Sequence, residues 1–338
     1  MKRILFYSSV NSLELFKTQK FYQIDISILK DLGYDVLLSN RIFDSLLFWK
    51  YDILFSYFYR YSFFAALLAK CFGKKTYFTG GIDSLDSDYA SAFNNKIQAL
   101  FFKLCYWVAD SCIIVSQSDL KNIFKVSSLK KKLSYSEHVI NTKLFIADVP
   151  KEKIFTSIVW MGDEGNVVRK GVDKALQIFA ELKKIPEFVD YRFVIIGRKG
   201  EGEVLVRSII DKYNLKGSVE LKGEVSEEDK INLLKQSKYY FQLSLYEGFG
   251  LAALEALCAN NIIIHSGKGG LANPIYKEQL LFDIDNDFDS ELLKLVNKLA
   301  CFTPITSYDN LLEYYDIQRR KDDFEAIIVN GKSNYKLK

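Results

Sequence analysis

Short apolar runs alternate with amphipathic stretches along most of the chain, and this alternation limits the fold more than any other feature. In the first half, apolar runs at residues 4–7 and 75–78 stand among helix-like stretches at 21–32, 62–71 and 94–109. Buried strands that alternate with helices of about 10–15 residues build a parallel sheet with helices on both faces. The sequence therefore predicts an α/β fold with parallel sheets.

The alternation breaks once and then restarts. Residues 127–136 are polar and basic, and the composition near 145–153 is typical of a linker. A chain of 338 residues has room for two domains of roughly 150 residues each. We predict two doubly wound, Rossmann-like domains, 1–148 and 149–308, which face a central cleft. A helical segment at 309–338 is expected to return to the first domain.

The composition excludes several classes of protein. A hydrophobic fraction of 49% and a charged fraction of 26% are typical of globular proteins and argue against disorder or a collagen-like repeat. The longest apolar stretch, 61–69, is far shorter than the roughly 20 residues that cross a bilayer. The start of the chain has no signal-peptide cleavage pattern. We therefore expect a soluble protein.

Five cysteines and two histidines limit the chemistry further. The cysteines are odd in number and have no metal-binding or redox spacing, so we expect buried free thiols in the reducing cytoplasm. The histidines, His138 and His265, are far apart in sequence, which argues against a histidine-rich metal site.

Net positive charge and aromatic residues are concentrated in the first 150 residues, which hold 19 Lys and Arg against 13 Asp and Glu and 29 of the 50 aromatic residues. The net charge of +4 is too small to favour nucleic acid as a partner. The basic first half is either a solvated face or a contact with an anionic membrane surface. The aromatic run 57–64 fits an acceptor platform, a membrane contact or core packing, and the lysines at 130–132 fit a loop or a headgroup site.

The stretch 244–256 carries the most specific chemistry, because it follows a predicted buried strand and opens a predicted helix. Gly248 and Gly250 allow the backbone to approach a ligand, and N–H groups at a helix start bind anions. Glu247 precedes the helix and Glu255 lies within it, and carboxylates accept hydrogen bonds from sugar hydroxyls. We predict a diphosphate at the helix start with a sugar or ribose near each carboxylate.

This stretch resembles the acidic motif of family-four retaining glycosyltransferases, which have the GT-B fold. Glu247 and Glu255 have seven residues between them and enclose Gly-Phe-Gly-Leu. Residues 256–270 resemble the family's helix, strand and glycine-pair loop, and 139–145 resemble its interdomain segment. The similarity is strong over roughly 139–275 and diffuse before it.

The resemblance implies a retaining, metal-independent hexosyltransferase that needs no cofactor. Its donor would be a UDP- or GDP-sugar, and its acceptor a glycan or a lipid-linked saccharide. The excess of Lys over Arg, 37 to 9, is typical of an AT-rich bacterial genome. We therefore expect a role in bacterial surface-polysaccharide synthesis, in the cytoplasm or peripheral on the inner face of the cytoplasmic membrane.

The resemblance also implies roles for individual residues. Glu247 would position the transferred sugar and Glu255 would bind the ribose. The residues implied to bind the donor diphosphate are Arg169, Lys170, Gly248, Phe249, Gly250 and Leu251. The residues implied near the base, in loops that also fit plain turn chemistry, are Val225, Lys230 and Arg198. The acceptor hydroxyl would attack the face that the nucleotide leaves, and a donor phosphate oxygen would take its proton, so that no enzymic nucleophile is required.

Asp83 ends the loop after the predicted strand 75–78 and would face the sugar or the acceptor; a turn cap is the alternative. The nearby run 86–88 resembles the metal-binding Asp-x-Asp of the other major glycosyltransferase fold. We discount it because the later motifs are those of GT-B, and we expect no metal.

The sequence departs from the family at several positions. Asp163 stands where an arginine is usual, Asn273 stands where a glutamate is frequent, and the loop before Asp83 lacks a histidine. Arg169 could replace the missing arginine. These departures keep two alternatives open, a GT-B nucleotide-sugar epimerase and a catalytically degenerate GT-B scaffold in a glycan assembly complex.

Overall fold

The computed structural model describes residues 1–146, 149–302 and 309–332. The chain forms two compact units. The first contains Met1–Ile140 and the final segment from Glu313 onward, and the second is Asn141–Leu312. The chain thus passes from the first unit to the second after Ile140, eight residues before the predicted boundary at 148.

The first unit is built on a six-stranded parallel sheet in the order β2-β1-β3-β4-β5-β6. Its strands are β1 (Arg3–Ser8), β2 (Asp35–Ser39), β3 (Ile53–Tyr57), β4 (Lys75–Thr79), β5 (Ser111–Ile114) and β6 (Leu133–Tyr135). Its helices before the division are α1 (Leu15–Thr18), α2 (Lys20–Asp31), α3 (Ser62–Cys71), α4 (Ala92–Val108) and α5 (Gln117–Val126).

Alternate side chains of these strands enter two separate cores, one on each face of the sheet. Leu5 and Leu54 pack into one core, whereas Ile4, Phe6 and Phe55 pack into the other. Strand residues point alternately to opposite faces, so a strand covered on both sides must be apolar throughout. This explains why the strands read as continuous apolar runs rather than as alternating ones.

The second unit has a six-stranded parallel sheet in the order β12-β11-β10-β7-β8-β9. Its strands are β7 (Glu152–Ile158), β8 (Arg192–Ile196), β9 (Val219–Gly223), β10 (Ser237–Gln242), β11 (Ile262–His265) and β12 (Leu280–Leu281). Its helices are α6 (Glu164–Arg169), α7 (Val172–Leu182), α8 (Glu203–Lys212), α9 (Glu227–Gln236), α10 (Leu251–Cys258) and α11 (Phe288–Cys301).

Each sheet has one point at which the chain reverses its direction of travel across the strands. The reversal lies between β1 and β3 in the first unit and between β7 and β10 in the second. Ligands of open α/β sheets bind beyond the carboxyl ends of the strands at such a point. In the second unit, the loops that follow β7 and β10 are therefore the expected ligand-binding loops.

The final segment forms α12 (Asp309–Tyr314), α13 (Ile317–Phe324) and a π-helical turn, Glu325–Val329. Arg320 of α13 is fully buried in the first unit, where its Nε and Nη2 lie 2.6 and 2.8 Å from the two carboxylate oxygens of Asp25. A buried bidentate pair of this kind fixes the orientation of α13 on the first unit.

Several predicted elements differ from those observed. The segment 127–136, where the alternation of the sequence breaks, contains the strand β6, whose Leu133 faces the core while its neighbours in sequence are polar. The helices α5, α8 and α11 were not predicted. Cys71 is exposed, contrary to the expectation of buried thiols, whereas Cys105, Cys112 and Cys258 are buried.

The aromatic run at 57–64 divides between core and surface. Tyr57, Tyr59 and Phe63 are buried, and Tyr61 and Phe64 are exposed. Within the described ranges, no helix is both long and apolar enough to span a bilayer.

Candidate active site

Two residues predicted from separate motifs of the second unit meet at the reversal point. Lys170, which follows α6, places its Nζ 2.5 Å from Oε1 of Glu247 in the loop after β10. Their side chains are 22% and 12% exposed, so water screens the pair less than it screens a surface ion pair. The contact therefore brings an ammonium and a carboxylate together where the sheet topology predicts a ligand.

Glu247 is oriented by two neutral side chains from the end of β10. Ser244 Oγ and Gln242 Nε2 donate to Glu247 Oε1 at 2.7 and 2.8 Å, and Gln242 Nε2 also lies 2.8 Å from Ser244 Oγ. Together with Lys170, three donors converge on one carboxylate oxygen. None of these three hydrogen bonds goes to the other oxygen, Oε2, which keeps its capacity to accept hydrogen bonds.

Gly171 explains why Lys170 lies so close to Glu247. It has a φ of +67°, and a Cβ added to it would lie 2.0 Å from the carbonyl oxygen of Leu243 in the loop after β10. The amide of Leu245 also donates to the carbonyl oxygen of Arg169 at 2.8 Å. The start of α7 is thus packed directly on the loop that carries Glu247, and only glycine fits at this contact.

A second close backbone contact comes from the glycine pair after β11. A Cβ on Gly269 would lie 2.3 Å from the carbonyl oxygen of Glu247, and one on Gly270 would lie 2.5 Å from Cα of Phe249. The amide of Gly270 donates to the Glu247 carbonyl at 2.6 Å. The glycine pair is therefore packed directly on the backbone of the predicted ligand-binding loop.

That loop leads directly into α10. Gly250 is the residue before the helix and has a φ of +87°. The first N–H groups of an α-helix have no acceptor within the helix and attract anions. Phe249 and Gly250 are buried, while Gly248 and Leu251 are partly exposed, so a ligand would reach this helix end beside those two residues.

A second lysine–glutamate pair joins α9 to α10. Lys230 Nζ is 2.8 Å from both carboxylate oxygens of Glu255, which is 6% exposed, and 3.1 Å from Glu227. The same ammonium lies 5.8 Å from the centre of the Phe145 ring. The structure therefore brings Lys230 into contact with Glu255, the residue predicted to bind the ribose. The side chain of Val225 packs against a small core that includes Val194 and Ile196 of β8.

Arg169 and Asp163 are both engaged with Asn166. Arg169 Nη2 lies 2.7 Å from Asn166 Oδ1, and Asp163 Oδ1 accepts the Asn166 amide at 2.6 Å as the N-cap of α6. Asp163 thus stabilises the N-terminus of α6. Asn273 has a comparable role, because its Oδ1 accepts the Ile275 amide at 3.1 Å.

Arg198 has an exposed side chain in the loop after β8. Its carbonyl oxygen accepts the amide of Met161 at 2.9 Å, which joins this loop to the one that follows β7. The structure thus places Arg198 in a loop beside the reversal point, and its proposed contact with the base remains a prediction.

Asp83 belongs to the first unit and is exposed at the start of a short helical turn, Asp83–Leu85. The preceding amide, that of Ile82, donates to Oδ1 of the fully buried Asp119 at 3.3 Å. Burial, followed by the nearby Asp83 carboxylate, raises the pKa of Asp119 to about 8. Asp119 was not predicted as a functional residue. The sequence signal that could have indicated it is its position three residues after Ser116, which caps α5 by accepting the Asp119 amide.

The run 86–88 forms a turn. Asp86 Oδ1 accepts the amides of Asp88 and Tyr89 at 2.9 and 3.2 Å. Among the residues that the structure describes, no group of three or more His, Cys, Asp or Glu side chains is arranged to hold a metal ion.

With the geometry established, similarity to known proteins adds a family description. Residues 165–299 match the model of the family described as "Glycosyl transferases group 1". One subunit of the human phosphatidylinositol N-acetylglucosaminyltransferase is 27% identical over 204 residues, which cover 60% of this chain. The GDP-mannose:cellobiosyl-diphosphopolyprenol alpha-mannosyltransferase of Xanthomonas oryzae is 32% identical over 163 residues, which cover 42% of this chain. The match spans 40% of the length of each of these two relatives.

Solved structures decide the fold. The HepE protein of Anabaena, in complex with UDP and glucose, matches 98% of this chain and 100% of its own with a TM-score of 0.73 at 11% identity. Sucrose-phosphate synthase from Thermosynechococcus elongatus matches 98% of this chain and 97% of its own with a TM-score of 0.66 at 16% identity. The chain has the GT-B fold. The predicted fold class is thus confirmed, and in GT-B terms the Lys170–Glu247 pair lies in the second Rossmann-like domain.

Proposed function

We propose that this chain is a retaining glycosyltransferase that moves a sugar from a nucleotide-diphosphate sugar to a saccharide acceptor, free or linked to a lipid. The observation that carries the proposal is the Lys170–Glu247 contact at the reversal point of the second sheet, beside the N-terminus of α10. The family match over residues 165–299 supports the same reaction.

The donor diphosphate would bind between Lys170 and the N-terminus of α10. A lysine ammonium and a helix N-terminus both stabilise phosphate oxygens, and partial burial strengthens each interaction. A bound diphosphate would compete with Glu247 for the ammonium of Lys170. Glu247 would then turn its acceptor oxygens to the hydroxyls of the transferred sugar, held in place by Gln242 and Ser244.

Glu255 would bind the ribose. Its two oxygens already accept hydrogen bonds from Lys230. Each carboxylate oxygen can accept more than one hydrogen bond, so the ribose hydroxyls can donate to Glu255 as well. Lys230 would hold the carboxylate fixed in orientation. Val225 and Arg198 would lie near the base.

In this proposal, transfer with retention of the anomeric configuration needs no nucleophile from the protein. The acceptor hydroxyl would attack the anomeric carbon on the face from which the nucleotide departs, and a donor phosphate oxygen would take its proton. Lys170 would stabilise the charge that develops on the leaving diphosphate. No metal ion takes part.

The names of the relatives support the proposed substrate classes. One relative is named for GDP-mannose and a diphosphopolyprenol-linked saccharide, another for phosphatidylinositol, and the HepE structure holds UDP and glucose. We therefore propose a UDP- or GDP-sugar as donor. A lipid-linked acceptor would place the reaction in glycan assembly on a bacterial membrane, in keeping with the composition of the chain.

The proposal is tested by donor hydrolysis with UDP-glucose, UDP-N-acetylglucosamine and GDP-mannose in the presence of a chelator. Glu247→Gln removes the charge and keeps the shape, and we expect the rate of nucleotide release to fall at least about a hundredfold, or roughly 2.7 kcal/mol. Proton NMR of the first sugar released should show the anomeric configuration of the donor.

Glu278→Gln is the matched control, since it neutralises an exposed glutamate of the same unit outside the site. It should keep the wild-type rate. Equal rates for the wild type, Glu247→Gln and Glu278→Gln would contradict the assigned role, and a scaffold protein would behave in this way. Release of the opposite anomer would contradict retention.

A further inference from the structure

The outer surface of α4 exposes three large apolar side chains on one line. Phe93, Leu100 and Trp107 are 72%, 57% and 67% exposed and follow one another at intervals of seven residues. Seven residues are close to two helical turns, so these side chains form one stripe about 21 Å long. Apolar side chains of this size are usually buried when they recur on one helix face.

The stripe continues onto the neighbouring α3. Tyr61 and Phe64 are 52% and 44% exposed, and each ring centre lies 6.3 Å from that of Phe101 on α4. Phe101 is only partly buried and joins the two helices. We call the exposed set the α3–α4 face; its members are Tyr61, Phe64, Phe93, Leu100 and Trp107.

The charged residues within α3 and α4 are all positive, and one of them, Lys70, pairs with Asp110 just beyond α4 at 2.9 Å. The sequences of α3 and α4 contain Lys70, Lys96 and Lys103 and no acidic residue. Lys96 and Lys103 each stand three residues after a member of the stripe and are exposed along one edge of it. A helix with an apolar stripe edged by lysines suits the boundary between lipid headgroups and acyl chains, because lysine stems can follow the apolar surface while the ammonium stays in water.

A basic cavity extends this positive character beyond the end of α4. It has a volume of about 290 Å³, and the charged residues of its lining are four lysines, Lys75, Lys131, Lys132 and Lys332, and one acid, Asp110. Lys132 Nζ donates to the carbonyl oxygen of Trp107 at 2.9 Å, which ties the cavity wall to the last turn of α4. Lys132, one of the lysines predicted at 130–132 as a loop or a headgroup site, thus lies next to the end of the apolar stripe.

We propose that the α3–α4 face docks this chain onto a bilayer that contains anionic phospholipids. Phe93, Leu100 and Trp107 would enter the headgroup region with α4 parallel to the membrane surface, and Lys96 and Lys103 would contact lipid phosphates. A protein partner fits less well, because lysine is depleted in protein interfaces relative to the rest of the surface. The proposal concerns the first unit and does not depend on glycosyl transfer by the second.

The proposal is tested by sedimentation of the full chain with phosphatidylcholine vesicles, with and without phosphatidylglycerol. We expect binding to the vesicles that contain phosphatidylglycerol, and Leu100→Asp should weaken it at least about tenfold. Leu293→Asp is the matched control, since Leu293 of α11 is 63% exposed and also lies within a helix of the other unit. It should bind as the wild type does.

Two further readouts separate charge from apolar contact. Lys96→Glu or Lys103→Glu should weaken binding by about fivefold or more on anionic vesicles, and added salt should have a similar effect. In a chain with Trp49→Phe and Trp160→Phe, Trp107 is the remaining tryptophan. Its fluorescence should shift to shorter wavelength when anionic vesicles are added.

Three results would overturn the proposal. The first is equal vesicle binding by Leu100→Asp and Leu293→Asp, and the second is equal binding to neutral and anionic vesicles. The third is self-association that Leu100→Asp abolishes, without vesicle binding, which would assign the face to a second copy of the chain.

Discussion

Gly171→Ala tests whether close packing of α7 on the loop after β10 creates the active site. The added Cβ would lie 2.0 Å from the carbonyl oxygen of Leu243, whereas Cβ contacts under 3.0 Å are essentially never seen, so the backbone must move by about 1 Å. This movement would separate Lys170 from Glu247.

The expected cost has two parts. A non-glycine residue in the left-handed region costs about 1–2 kcal/mol, and overpacking typically adds about 1–3 kcal/mol. We therefore expect Gly171→Ala to lower the free energy of unfolding of the second unit by about 2–5 kcal/mol. A displacement of about 1 Å at a catalytic group can also cost about a hundredfold in rate, and donor hydrolysis should fall by that factor.

Gly217→Ala provides the matched control. Gly217 lies in the same unit with a φ of +87°, but a Cβ there would meet no atom within 4 Å. It should therefore cost only the backbone strain, about 1–2 kcal/mol, and leave donor hydrolysis unchanged. Urea unfolding followed by circular dichroism and the hydrolysis assay measure both quantities. Equal effects of the two substitutions would refute the packing argument.

Two further predictions concern the first unit. Arg320→Met leaves the Asp25 carboxylate buried without its cationic partner, and urea unfolding should show that the free energy of unfolding falls by about 3–5 kcal/mol. Adding Asp25→Leu to the same chain should restore most of this free energy. An equal loss in the double variant would contradict the prediction. Asp119 has a pKa raised by burial to about 8, so its carboxyl stays protonated in the folded state where the unfolded chain has released the proton. Stability should therefore fall as pH rises from near the usual value of Asp, about 4, to about 8, by up to roughly 1.4 kcal/mol per pH unit. Asp119→Asn should remove this slope, and an unchanged slope would contradict it.

The parts of the fold with strong local signals were predictable from sequence. The helix Ser62–Cys71 has the predicted bounds, because Gly73, which has a φ of +70°, ends it. By contrast, β6 has three residues and one fully buried apolar side chain, Leu133, so only its pairing with β5 reveals it as a strand.

The candidate site was predictable as a set of residues but not as a set of contacts. Lys170 and Glu247 were assigned to one ligand from two motifs that are 77 positions apart, and the order of the parallel strands brings them together. The sequence could not show that Gln242 and Ser244 donate to Glu247, because both resemble ordinary polar residues at the end of a strand.

The departures from the family pattern became interpretable only with the structure. Asp163 caps α6 and Asn273 caps the turn Pro274–Tyr276, so both residues have local structural roles that the sequence pattern did not reveal. Arg169 contacts Asn166, which leaves its predicted contact with the diphosphate as a proposal.

The most direct test of the central claim is nucleotide binding at the Lys170 site. Thermal unfolding of the chain would be measured with UDP, GDP, ADP, dTDP and CMP in the presence of a chelator. At a hundred times its dissociation constant, a bound nucleotide adds about 2.7 kcal/mol to the free energy of unfolding. Lys170→Met removes the ammonium and keeps most of the stem, and Lys184→Met changes an exposed lysine just beyond α7 as a control.

We predict that UDP or GDP raises the melting temperature of the wild type and of Lys184→Met, and that Lys170→Met loses most of this shift. A wild-type chain whose melting temperature responds to none of the five nucleotides would contradict the account. So would a shift that Lys170→Met retains in full.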